Sequence, residues 1–506
     1  MSSPSAGRPT GPVRITSVDG NSLKRWGFKP GPWFKDAIAA ADKLAYENHF
    51  RSATIHDEAA MIALVRSFEP LPIETVSLQD PANVPTHFNI DAETDFEKDN
   101  LAKVASRISE IARVPGVREI AVMPDACPTG PNDVPVGAVV VTEGTIVPGW
   151  HSADICCSVA ISVFPSETDP HGLLDAGMRL SHFGKGGRPY SVDMQVSQDL
   201  LDDFQRNPYL RNIGGMAQKH FGTQGDGNHF YYVGRLDSTG QVALVTHHGS
   251  RAPGATLYNH GVAAALEYTS ARCPEVHKNS AWLSYDSEEG QAYWEALQLI
   301  RRWTKGNHFT IHDAVAKAVG AKVKDRFWNE HNFIFKREYN GRTFFAHAKG
   351  ATPGYAYFSQ DTFGKTLIPL NMSQPILITQ VNDNPDHGMG ANHPSLGFCP
   401  HGAGRNYSRT EFGKLIAGRA KEMIADVTSK YDIRAFSGKH DISEFPEAYK
   451  DANKVIEQIN KYNLTTVVDM VQPIGCIMAG HDGTDWKAIK KAKKEKALGE
   501  VNKASS

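Results

Sequence analysis

Apolar positions along this chain change their spacing near residue 115. Before it, Lys35 to Asn48 and His56 to Phe68 repeat apolar residues at helical intervals within alanine-rich stretches. A proline-rich connection from Glu69 to Pro85 follows, then a third helical pattern between Glu93 and Val114. From Arg118 the pattern becomes short apolar runs bounded by Gly and Pro turns. The runs at 118–124, 136–142 and 159–164 are those of buried strands. Further strands are predicted near 230–234, 242–247, 331–336 and 375–381, between helical stretches at 258–271, 287–304 and 309–324. Such irregular mixing predicts an α+β fold with packed sheets instead of a regular parallel α/β repeat. The same pass divides the chain into a mobile lead (1–20), an N-terminal helical region (21–114), a main domain (115–480) and a Lys-rich, solvated tail (481–506).

Composition narrows the class of protein. A chain of 506 residues can bury a large core. A net charge of −2 argues against wholesale coating of nucleic acid, but leaves room for a local basic groove. The N-terminus is polar without an apolar core, and no apolar run reaches the roughly eighteen residues of a membrane span. Six cysteines in so long a chain do not form a disulfide framework. These features predict a soluble, cytoplasmic protein.

Candidate chemistry concentrates in CPHGAGRNYSRTEF, Cys399 to Phe412. Ser408 followed by Glu411 predicts a capping box, with an amphipathic helix running to about Tyr431. Gly402 and Gly404 allow close backbone approach, and free amides ahead of a helix favour an anion such as phosphate. Arg405 and Arg409 add fork-shaped donors suited to phosphate oxygens. His401 would then sit against phosphorus, where imidazole is a competent nucleophile. The competing reading is a glycine-rich turn with a surface histidine. Five other short motifs carry metal-type ligands: Asp154 and Cys157; Asn228 and His229; His247 and His248; His331 and Asn332; His347 and Lys349. Singly, each fits a structural role. Together they set several histidines, a carboxylate and a thiol beside glycines at predicted strand ends. Mixed O, N and S donors suit Mn²⁺, Fe²⁺, Co²⁺ or Zn²⁺, and a thiolate could bridge two ions. The residues alone therefore predict a metal-dependent enzyme acting on phosphate.

The motifs, in their order, resemble the RtcB family of 3′-phosphate/5′-hydroxyl RNA-splicing ligases. The resemblance rests on Met123–Asp125, Ala153–Val159, Gly227–Phe230, His247–Arg251, His331–Asn332, His347–Thr352, His401–Arg405, Ala448–Asp451 and Pro473–Gly480. It implies packed mixed or antiparallel sheets flanked by helices, with a metal and nucleotide site in a central cleft. It further implies that His401 takes GMP from GTP and passes it to an RNA 3′-phosphate, after which a 5′-hydroxyl seals the strand. A 2′,3′-cyclic phosphate would be opened first. By the same resemblance two Mn²⁺ ions are held by Asp154, Cys157, His229, His247 and His331, with Cys157 bridging. Asn228, Gly402, Ala403, Gly404, Arg405 and Tyr449 would contact the nucleotide; Lys349, Arg251 and Arg409 would contact phosphate or RNA. An accessory activating protein is a further implied partner. The chain departs from the family pattern at Ala126, Cys127, Ala348, Thr379–Asn384, Tyr232 and Met478. Nucleophile and ligands are kept, while base and loop contacts differ. Two alternatives accompany the ligase: a nucleotidyltransferase that caps 3′-phosphate ends without sealing, and a protein that binds RNA ends without turnover.

Overall fold

The computed structural model describes residues 17–50, 58–69, 73–189, 194–354, 364–381, 393–416 and 418–481. Most of the expected lead, most of the Lys-rich tail and residues 382–384 of the Thr379–Asn384 stretch lie outside these. The chain forms two compact units, divided between Thr75 and Val76. The first holds helices Gly20–Arg25, Phe34–Phe50 and Glu58–Arg66 around Leu23, Phe34, Ala37 and Met61. The expected boundary near residue 114 is not where the units part. Helix Asp95–Ala112 packs Val104, Ile108 and Ile111 onto Ile120 and Val122, inside the second unit.

That second unit is α+β, built on two large sheets. A five-stranded sheet runs in the order Thr86–Phe88, Val117–Cys127, Val136–Glu143, Arg342–Lys349, Asn332–Tyr339. A second sheet runs Asp325–Glu330, Ser158–Phe164, Val242–His248, Phe230–Leu236, Thr466–Met478, Ile376–Gln380, Lys365–Pro369, with Asp432–Ala435 paired alongside Thr466–Met478. Within these two sheets pairing is antiparallel except at Thr86–Phe88 and Asp432–Ala435. One apolar cluster joins the sheets, combining Met123, Val139 and Phe345 of the first with Trp328, Ile368 and Leu377 of the second. Strands buried on both faces explain the continuous apolar runs of the sequence.

Two helical expectations change. The stretches at 287–304 and 309–324 are one helix, Glu288–Val319, ending at Gly320 in the left-handed region. It continues through Gly306 because its polar residues there are buried with partners. His308 bonds Ser158 and Thr246, and His312 bonds Ser162 and Thr246. In contrast, the helix expected from Ser408 to Tyr431 is two, Arg409–Leu415 and Ala420–Lys430, with Gly418 at the break. Among the described residues, no helix is long and apolar enough to cross a membrane.

Candidate active site

Three adjacent antiparallel strands bring the ligand-type residues to one sheet end. The register sets Val159 opposite His247, and Phe230 opposite His247, so Cys157, His229 and His247 meet there. The next strand ends at Glu330, paired with Ser158, and the His331 amide donates to the Cys157 carbonyl (2.9 Å). Among the described residues, two groups could hold metal ions: Cys157, His247 and His331, and Asp154, Cys157 and His229. Cys157 belongs to both. Its Sγ lies 3.2 Å from His247 Nε2 and 3.6 Å from His229 Nε2. His229 Nε2 is 3.1 Å from Asp154 Oδ2, and His247 Nε2 is 3.3 Å from His331 Nε2.

The far nitrogens of two of these imidazoles are fixed by backbone. His229 Nδ1 donates to the Gln224 carbonyl (2.7 Å) and His247 Nδ1 to that of Asn228 (3.1 Å), which aims both Nε2 lone pairs at the cluster. Burial, then the imidazoles of His229 and His401, lowers the His247 pKa to about 3. Burial, then His401, holds His331 well below its ordinary value. Neutral imidazole is the form that ligates. Burial, then the Asp154 carboxylate, pushes the Cys157 thiol up; burial opposes charge on Asp154, but His229, Cys157 and Arg251 together outweigh it and keep that carboxyl low. A bound divalent ion would draw the proton from such a thiol, so this donor set fits a borderline divalent metal.

His401 follows strand Phe398–Pro400, which pairs with Ala351–Pro353. Its ring lies 4.8 Å, centroid to centroid, from that of His331. Asp125, fully buried at the end of its strand, accepts from the His401 amide (3.1 Å) and from His401 Nδ1–H (2.6 Å). With Nδ1 donating there, a neutral His401 ring carries its lone pair on Nε2. Gly404 has φ +74°, and a Cβ there would stand 2.3 Å from the Asp125 carbonyl oxygen. Lys450 Nζ donates to the carbonyls of Pro124 (2.9 Å) and Ala126 (2.8 Å), tying the same strand end down.

The glycine-rich turn differs from expectation in one respect. Its amides are not all free: that of His401 donates to Asp125, and that of Arg405 to Cys127 Sγ (3.1 Å). Arg405 is likewise engaged, donating to the carbonyls of Tyr407 (3.2 Å) and Ser443 (2.8 Å) and lying over the Tyr449 ring. Behind them stands Glu444, which is 2 % exposed. It accepts from Arg405 (3.2 Å), Arg409 (2.5 Å) and the Tyr449 hydroxyl (2.5 Å). These arginines hold the turn together before they hold any phosphate.

A cavity of about 800 Å³ opens beside these groups. Its walls include Asp154, Cys157, Asn228, His247, His331, Lys349, the turn from His401 to Arg405, Arg409 and Tyr449. Lys349 Nζ bonds both Asp133 oxygens at 2.8 Å. Tyr232 and Met478 also line it, the Tyr232 hydroxyl donating to the Val471 carbonyl (2.9 Å). Three residues singled out by their motifs point elsewhere. Arg251 is not a wall residue, and is held by Thr223 (3.3 Å) and the Gly184 carbonyl (2.9 Å). His248 stacks on His308, on the other face of its strand. His347 is buried, accepting from the Val147 amide (2.9 Å). Sequence reading also missed contributors. Asp125 was visible only as part of a motif, Glu444 carried no signal, and Phe96, Asn100 and Lys103 of helix Asp95–Ala112 form part of the wall.

Residues 192–479 match the family model described as tRNA-splicing ligase RtcB. The chain belongs to the RtcB family. Among curated members, the RNA-splicing ligase RtcB of Escherichia coli is 25% identical over 411 residues, covering 74% of this chain and 94% of that protein. The tRNA-splicing ligase RtcB of Methanococcus maripaludis is 24% identical over 480 residues, covering 79% and 96%. That of Aeropyrum pernix is 24% identical over 464 residues, covering 75% and 92%. The RtcB match contains His229, His247, His331 and His401 but begins after Asp125, Asp154 and Cys157.

Proposed function

We propose that this chain is an RNA ligase joining a 3′-phosphate or 2′,3′-cyclic phosphate end to a 5′-hydroxyl end, with GTP and two Mn²⁺ ions, through a guanylylated His401. The names of its relatives support RNA ligation. The observation that carries the chemistry is the pairing of Asp125 with His401 beside two ligand groups that share Cys157. Asp125 orients the imidazole and stabilises positive charge on it as Nε2 attacks the α-phosphorus. An N–P bond forms there, and pyrophosphate leaves. An oxygen of the RNA 3′-phosphate then displaces His401, and the 5′-hydroxyl finally displaces GMP to form the phosphodiester. Ions held by Asp154, Cys157, His229, His247 and His331 would neutralise phosphate charge at this end of the cavity. Asn228, Tyr449 and the turn Gly402–Arg405 would hold the nucleotide, while Lys349 and Arg409 would meet phosphate or RNA. A cytoplasmic location and an accessory activating protein belong to the same reading.

The test is covalent labelling with Mn²⁺ and α-labelled GTP or ATP in parallel, followed by peptide mapping and a joining assay. GTP label on His401 with sealed RNA is the expected result. Label from ATP would reassign the nucleotide, consistent with Tyr232 and Met478 in the wall. A GMP-blocked 3′ end without joining would make it a capping enzyme. No label from either nucleotide, with metal bound, would overturn the reading.

A further inference from the structure

A ladder of aromatic rings climbs from the core to the rim of the cavity. Phe412, 3 % exposed, lies beneath Tyr407 at 6.4 Å and 30°. Tyr407 lies beneath Phe96 at 4.8 Å and 33°. Phe96 is 41 % exposed, so the ladder ends on an open aromatic face. A single exposed phenylalanine is ordinary on a protein surface; what sets Phe96 apart is that it borders the cavity and rests on Tyr407. Phe96, Asn100 and Lys103 stand at i, i+4 and i+7 of helix Asp95–Ala112, and all three line the cavity. Asn100 Nδ2 donates to the Asn406 carbonyl (3.3 Å), which fixes this helix face against the turn that carries His401. Among the described residues Lys103 is ion-paired with the exposed Asp99, a partner that a phosphate can replace at little cost, and its charge also reaches Glu411. Glu411, also at this rim, is turned back onto the Ser408 amide (3.1 Å).

We propose that Phe96, backed by Tyr407, is a stacking platform for an unpaired base near the reacting end of the RNA, with Lys103 beside it for a backbone phosphate. The proposal rests on the ligase reading and adds a strand-binding subsite to it. An aromatic face continuous with the cavity, with an amide and a cation on the same helix face, suits single-stranded nucleic acid, because every base offers a π-face. Phe96 and Lys103 lie before the stretch that matches the family model, whereas Tyr407 lies within it.

The experiment measures affinity of the full chain, with Mn²⁺, for a 3′-phosphorylated single-stranded RNA. Wild type is compared with Phe96→Ala, Phe96→Trp and, as an exposed apolar control away from the rim, Leu415→Ala. Each is repeated with RNAs made abasic at one of the last three nucleotides. Phe96→Ala should weaken binding about tenfold, with Phe96→Trp and Leu415→Ala near wild type. One abasic position should cost wild type a similar factor and cost Phe96→Ala nothing further. Equal affinity in wild type and Phe96→Ala would overturn the platform, as would a Phe96→Ala loss that is the same on intact and all abasic RNAs. His401 labelling in the same preparations separates the two ideas. Label with no Phe96 effect sinks the platform and leaves the ligase; no label and no RNA binding sinks both.

Discussion

Cys157 is a member of both ligand groups, whereas each histidine belongs to one. Cys157→Ala should therefore abolish metal binding and nucleotide labelling together, as metal analysis and a labelling gel would show. His401→Ala, in contrast, should take no label while keeping its metal content; RNA sealed by that variant would refute the mechanism. Asp125→Asn keeps an acceptor for Nδ1–H but removes the charge that stabilises the imidazolium. Its labelling rate should fall roughly hundredfold or more at saturating nucleotide. The motif histidines were legible in the sequence because glycines and strand ends flag them. Asp125 was legible only as part of its motif and Glu444 not at all, since a carboxylate's partner is visible only once the chain has folded.

At the level of elements, the long helix and the sheet it covers share one buried ion pair. Arg301 donates to Glu330 (2.5 Å), whose side chain is fully buried, and its guanidinium lies 5.0 Å from the Trp328 ring centroid. Arg301→Ala would leave that carboxylate without its cation, at about 3–5 kcal/mol of unfolding free energy. Because Glu330 immediately precedes His331, metal affinity should fall with it; urea unfolding and metal titration measure the two effects. The strands themselves were readable as apolar runs, since they are buried on both faces. Helix Glu288–Val319 was not readable as one element. Gly306, Asn307, His308 and His312 break its apolar period; the hydroxyls of Ser158, Ser162 and Thr246 satisfy the two histidines, and the Gly222 amide and Thr223 carbonyl satisfy Asn307. Helix Asp95–Ala112 was foreseen as a helix, yet a spacing of Phe, Asn and Lys along one face looks like any amphipathic surface until a cavity lies beside it.

On the scale of the whole molecule, the cavity walls come from the second unit alone among the described residues. A variant lacking residues 1–75 should fold and take label on His401, which circular dichroism and the labelling gel would establish. Acid should weaken the fold by a route independent of the metal ligands. Burial lowers the pKa of His151 to about 4, and those of His312 and His347 to about 3. The unfolded chain binds protons at these groups near its ordinary histidine value, so they support folding above about pH 6.5 and lose that support as pH falls toward 3–4. From pH 7.5 to 5.5 the cost is about 1.4 kcal/mol for each. Urea midpoints at the two values should show it, in wild type and in Cys157→Ala alike.

The separation of Asp125 from His401, 276 residues along the chain, has a consequence in time. A ribosome releases the carboxylate long before it makes the imidazole, and contacts of such range close late because loop entropy opposes them. On the proposed mechanism His401 would therefore take no label until that contact has closed. Appearance of covalent label during refolding would then time the closure of that one contact, without any optical probe.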